Sequence, residues 1–162
     1  MIEDDTRQTI KFVAWLIGII IFLYAASVLI FYKASNPERN ETKQLNQIAL
    51  AKSPITKIEK NYHLDRGVNS YSLKGSSKNR QQYYFIYLPG SKKGYLLSAK
   101  KGVSEAKVRS SYQAQNPNNK ITKVNLGWYN NRAVWEVTAK DSADHYQYQY
   151  QLYEFKNGNL LG

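Results

Sequence analysis

The chain has 162 residues, 23 Lys and Arg against 12 Asp and Glu for a net charge of +11, and no cysteine. The missing cysteines exclude disulfides, thiolate metal sites and cysteine nucleophiles, and they suit an extracytoplasmic domain of a bacterium that does not cross-link its secreted proteins, as well as many cytosolic ones. The 14 tyrosines, twelve of them after residue 32, argue against a disordered tail, because aromatic residues favour half-buried strands.

Phe12 to Tyr32 is a run of 21 residues without a charge, bracketed by Lys11 and Lys33. At about 1.5 Å per residue it spans roughly 31 Å as a helix, against a hydrocarbon core of about 30 Å. Ala25-Ala26-Ser27 resembles a signal-peptidase site. The apolar run continues past it through Val28–Tyr32, so an uncleaved anchor is expected. Trp15 at one end and Phe31 and Tyr32 at the other suit the headgroup regions. The expected organisation is a cytoplasmic N-terminus over residues 1–11, a transmembrane anchor over 12–32, a linker over 33–41 and two modules over 42–99 and 100–162. Counting Arg7 and Lys11 against Lys33, Arg39 and Lys43 slightly favours a cytoplasmic large domain. A domain of that length translocates largely regardless of charge, and the short N-terminus resembles a signal-anchor, so the expectation is a domain outside the cell membrane.

From Lys33 onward the chain holds 21 basic and 9 acidic residues, a net charge of +12. Such a field attracts polyanions. Behind an anchor these are anionic lipid headgroups, anionic wall polymers such as teichoic acids, or an acidic protein face; nucleic acid requires a cytoplasmic domain and is not expected. The alternative is that lysine merely keeps the domain soluble.

Ser35-Asn36-Pro37 reads as a turn or extended segment in the linker. A helix follows from about Glu41 to Ser53, with Leu45, Ile48, Ala49 and Lys52 on one face, and Pro54 ends it. Strands are expected at Ile55–Leu64, Ser70–Lys74, Gln82–Leu88 and Gly94–Ala99, and Lys100-Lys101-Gly102 closes the unit. A second helix over Ser104–Gln115 places Val108, Ser111, Tyr112 and Gln115 on one face and stops at Asn116-Pro117. Strands then follow at Ile121–Trp128, Ala133–Lys140, His145–Phe155 and Leu160-Leu161, with Tyr129–Arg132 as a turn.

The halves repeat. Ile55-Thr56-Lys57-Ile58 returns as Ile121-Thr122-Lys123-Val124, and Lys93-Gly94-Tyr95-Leu96-Leu97 returns as Asn157-Gly158-Asn159-Leu160-Leu161. A period near 64 residues suits duplication of a small α+β unit, a helix on an antiparallel sheet. One such unit is marginal alone, so the two are expected to pack together. The alternation from Tyr146 to Leu152 puts Tyr146, Tyr148, Tyr150 and Leu152 on one face and the glutamines on the other. The tyrosine face is read as a core face under the helix. The alternatives are an aromatic platform for sugar rings or a partner, or an edge accepting a partner strand. Trp128 and Trp135 carry the same choice between partner contact and core.

Catalytic patterns are missing. His63 and His145 have no companion at metal-ligand spacing, and there is no Gly-x-Ser-x-Gly, Ser-x-x-Lys or phosphate-cradling loop. Glu136 beside Trp135 reads as a solvent-facing or salt-bridged strand carboxylate. The reading is therefore a protein that is not an enzyme and uses no metal or cofactor. Lys92-Lys93 and Lys100-Lys101 flank one strand and are expected to share one end of the sheet. They are read either as grips for an anionic polymer or headgroups, or as ordinary turn lysines.

The anchor, the helix Gln47-Ile48-Ala49-Leu50-Ala51, the strands Tyr83-Tyr84-Phe85-Ile86-Tyr87 and Ala133-Val134-Trp135-Glu136-Val137, and the closing Phe155-Lys156-Asn157-Gly158 carry a resemblance over nearly the whole chain. It resembles the TseB-like (YpmB-like) cell wall elongation regulators of Firmicutes, with a PepSY-like second module. The resemblance implies two tandem cystatin-like units, an outward-facing domain and a non-catalytic role on a class B penicillin-binding protein, a transpeptidase. The family offers no established catalytic residues to carry over. An envelope-assembly scaffold and a PepSY-type peptidase inhibitor are the alternative roles.

Overall fold

A computed structural model describes residues 2–141 and 147–161, with the backbone alone for 2–8 and 34–38. The chain forms two compact units, Met1–Asn40 and Glu41–Gly162. The first helix, α1, runs Ile2–Lys52. Its stretch Thr9–Lys33 is long and apolar enough to cross a membrane, and none of its side chains is covered by protein. A signal sequence near an N-terminus has the same appearance.

Residues 33–41, expected as a linker with a turn at Ser35-Asn36-Pro37, are helical instead. Pro37 has no N–H for the carbonyl of residue 33, and an interior proline costs about 3 kcal/mol. The good helix formers on either side, including Ala34, Glu38, Arg39, Glu41 and Lys43, oppose that penalty.

In the second unit, the last turns of α1 lie on a four-stranded antiparallel meander. It is built from β1 (Ile55–Asp65), β2 (Asn69–Ser77), β3 (Gln82–Leu88) and β4 (Lys93–Ser98), in that order across the sheet. After a 3₁₀ turn at Ala99–Lys101 comes α2 (Glu105–Gln115), whose Ser104 side chain accepts the Lys107 N–H as N-cap. The second meander is β5 (Lys120–Tyr129), β6 (Arg132–Lys140), β7 (Tyr148–Glu154) and β8 (Leu160–Leu161). The repeated helix-plus-sheet order is therefore present. β2 exceeds its expected length: Gly75 has no side chain to block Ile55, so pairing extends to Ile55 opposite Ser77 despite the poor strand formers there. The β5–β6 turn takes positive φ at both Asn130 (45°) and Asn131 (60°), the type I′ requirement that Asn tolerates.

The first sheet is covered on both faces, which is why Tyr84 to Leu88 are buried without alternation. On one face, Tyr71, Leu73, Phe85 and Tyr87 meet Leu45 and Ala49 of α1. On the other, Tyr62, Tyr84, Ile86 and Leu88 join Val108 and Tyr112 of α2 and Val124, Leu126, Trp135, Val137, Tyr153 and Phe155 of the second sheet. The two modules thus share one core. Gly127 sits at a close approach between them: a Cβ there would strike Leu64 and the Ser70 hydroxyl.

The tyrosine face of β7 is not the core face. Tyr148 and Tyr150 are 48% and 54% exposed, whereas Tyr153 is buried; Tyr146 lies outside the described residues. Register decides this. Trp135 pairs with Tyr153, Val137 with Gln151 and Ala139 with Gln149, so the glutamines share the inward face. A strand has period two, and pairing Tyr153 with the core tryptophan sends every even-numbered residue outward.

Candidate functional site

Trp135 belongs wholly to the core, at 0% exposure. Its ring meets Tyr62 and Tyr84 edge-on at 5.5 and 5.4 Å, and its Nε1–H donates to the Val103 carbonyl at 3.0 Å. Trp128 is half-buried and stacks on Tyr95 at 4.0 Å. Tyr148 and Tyr150 carry cations over their rings, Lys140 at 5.5 Å and Arg66 at 4.9 Å. Glu136 is buried and salt-bridged to Arg66, as one of its two sequence readings allowed.

The lysine doublets do not share one end of the sheet. Lys93 opens β4, while Lys100 and Lys101 lie beyond its last residue, Ser98. Six extended residues at about 3.3 Å each put roughly 20 Å between them. A single strand between two doublets necessarily separates them, because a strand does not fold back on itself.

That strand has the most distinctive surroundings in the second unit. β4 is the last strand of its sheet, and β3 is the element that packs along it. Beside its outer edge lies a groove of about 560 Å³ whose lining includes Leu96, Leu97, Trp128, Ala133 and Phe155. Leu96 is 42% exposed. Lys101 and Lys156 stand at the groove's rim, as does Arg132, which reaches Glu154 at 3.8 Å. Lys92, Lys93, Lys100, Lys101 and Lys156 are exposed and make no ion pair among the described residues. Sequence reasoning found the lysines of this site and its strand but not Phe155, Leu96 or Lys156 as neighbours. Phe155 and Lys156 belong to the other module, and no local pattern predicts that approach.

The densest titratable cluster lies elsewhere, in a polar crevice of about 450 Å³ between β1 and α2. Glu105 accepts from Lys60 Nζ at 2.7 and 2.9 Å, from Arg109 Nε and Nη2 at 3.0 and 2.9 Å, and from the Tyr62 hydroxyl at 3.0 Å. Burial pushes the Glu105 pKa up, but hydrogen bonds from Lys60, Arg109 and Tyr62 outweigh it and hold the carboxyl below its usual range. Burial, then the Glu105 charge, pushes the Tyr62 phenol well up, and the same two causes raise Tyr84 to about 12. Every member is engaged with another, so the cluster ties the modules together. It went unseen in the sequence because Lys60 and Glu105 are 45 residues apart. Among the described residues no group of three or more His, Asp or Glu is placed to hold a metal ion. His63 stacks on Tyr71 and bonds Asn69, and His145 lies outside the described residues.

The class defined by this geometry is a pair of helix-covered, four-stranded α+β meanders sharing one core, in a chain that also carries an apolar helix. No family model matches the chain, and no curated protein matches it. Among solved structures it is similar to the YpmB protein from Bacillus subtilis, with a TM-score of 0.64 and 23% identity over 74% of this chain and 93% of that one. The fold is therefore YpmB-like.

Proposed function

We propose that this chain is a membrane-anchored, non-catalytic regulator of cell wall elongation. Its folded domain lies outside the cytoplasmic membrane and acts by binding a penicillin-binding protein, a transpeptidase. The observation that carries this reading is the joining, in one chain, of a YpmB-like fold with the membrane-length apolar helix Thr9–Lys33. A binding role is supported by the engagement of two carboxylates within the fold: Glu105 is ion-paired with Lys60 and Arg109, and Glu136 with Arg66. In-cell crosslinking of the tagged full-length chain tests the reading. The expected result is capture of a transpeptidase, together with altered cell width on deletion; normal wall growth with no synthase captured overturns it.

A second reading, binding of an anionic wall polymer or of lipid headgroups, is favoured by five lysines at the two ends of β4 and its groove that make no ion pair among the described residues. It predicts binding to teichoic acid or to anionic vesicles that weakens steeply with salt, because exposed charges are screened. Salt-insensitive binding argues against it.

A further inference from the structure

We propose that β4 is a strand-addition site, whose outer edge pairs with an extended segment of a partner protein that is acidic at both ends and apolar at alternate positions between them. This rests on the reading that the domain binds a protein, and it names where and by what chemistry.

A sheet edge presents unpaired N–H and C=O groups, and folded proteins blunt such edges with bulges, prolines, charged side chains along the strand, short strands or covering elements. The edges at β1 and β5 are blunted. β1 pairs with β2 through two register shifts, β5 pairs with β6 through one, and β1 and β5 lie alongside each other. β8 has two residues and pairs only with Leu152 and Tyr153, so the first four residues of β7 form a second edge, but one that lacks the apolar groove and the lysines at both ends. Among the described residues β4 has no bulge, proline or covering strand, and its one charge, Lys93, stands at its first position. Its six residues pair with β3 without a shift, from Leu88 opposite Lys93 to Tyr83 opposite Ser98, and include no proline. Gly94 brings its backbone against the Phe85 ring, a close approach that a side chain would forbid.

The surroundings of the edge specify the occupant. An added strand lies about 4.8 Å outside β4. That position borders the groove, where Leu97, Trp128, Ala133 and Phe155 gather on one face of the sheet, so the alternate side chains that an added strand turns to that face must be apolar. Lys92 and Lys93 stand at one end of the strand, and Lys100, Lys101 and Lys156 at the other, roughly 20 Å away. Acidic residues at both ends of a short extended segment complement them. A flexible polyanion is a poorer fit, since it uses neither the unpaired backbone groups nor the apolar floor.

The test uses the full-length chain in nanodiscs of zwitterionic lipid. The probe is a synthetic peptide with paired acidic residues at each end and alternating valine and threonine between. Strand addition predicts slowed hydrogen exchange at the β4 amides when the peptide binds. It also predicts unequal effects of backbone N-methylation: methyl groups on one alternate set of residues abolish binding, and those on the other set are tolerated. Equal affinity for both methylated peptides, or competition by polyphosphate without β4 protection, overturns the proposal in favour of a polyanion surface. The double reversal Lys101→Glu and Lys156→Glu should weaken the acidic-ended peptide about tenfold and strengthen one with basic ends. Because both lysines are exposed, the variant keeps the fold. In the cellular crosslinking, capture of a synthase by this variant as efficient as by the parent chain overturns the β4 site while leaving the proposed function intact. Capture of nothing by the parent overturns that function, and the peptide measurements still decide strand addition.

Discussion

Trp135 shows how one side chain holds the two modules in one core. It is fully buried against Tyr62 and Tyr84 of the first module and anchors its indole N–H on the Val103 carbonyl. Trp135→Ala removes these ring contacts and is expected to lose about 3–5 kcal/mol of unfolding free energy in urea titrations. A loss below about 1 kcal/mol would mean the modules are held by something else. Glu105 works through charge. Its folded pKa lies below the unfolded value near 4.5, so its stabilisation is present above that value and is lost as pH falls through the lower folded pKa. Glu105→Gln should therefore destabilise the protein by about 1–2 kcal/mol at neutral pH. The gap from the parent chain should close as the pH falls below the ordinary carboxylate range. A gap independent of pH would show that the Lys60 and Arg109 contacts contribute by packing alone.

At the scale of elements, β7 makes the sharpest test. Tyr150 faces solvent with Arg66 at 4.9 Å from its ring centroid, and Tyr153 is buried beside Trp135. Tyr150→Ser is expected to change stability by no more than about 1 kcal/mol, the scale of an exposed cation–π contact. Tyr153→Ser should lose about 3 kcal/mol or more, as other large-to-small core changes do. The reverse order in thermal or urea unfolding would restore the tyrosine face to the core. Alternation showed that this segment is a strand with two unlike faces. It could not say which face is inside, because both Tyr and Gln are amphipathic enough for either. The helices were more legible. Pro54 and Pro117 as stops are local chemistry, and the buried pairs Leu45/Ala49 and Val108/Tyr112 follow the helical period. Pro37 misled for the opposite reason: a local breaker was outweighed by its neighbours.

At the scale of the molecule, the apolar helix and the basic folded unit divide the functional question into sidedness and partner. Trypsin added to intact protoplasts should cleave within Lys33–Gly162 if the domain is outside, as the proposed function requires. Protection until lysis would place the domain in the cytoplasm, and wall regulation would fail. This measurement is independent of the β4 test, since a cytoplasmic domain with an open strand edge could still add a peptide strand.

The sequence by itself determined the membrane-length helix, the order and approximate limits of the strands, the duplication, and the lysine doublets around one strand. Each is a property of neighbours: hydropathy summed over a turn or two, a period of two or 3.6 residues, or a capping or turn residue. The tertiary structure alone decided that Trp135 is core and Tyr150 is surface, that Glu105 clamps Lys60 and Arg109, and that the doublets lie at opposite ends of an open edge beside Phe155 and Lys156. These depend on register and on contacts between residues dozens of positions apart. A one-residue slip that leaves every local pattern unchanged would reverse the faces of a strand.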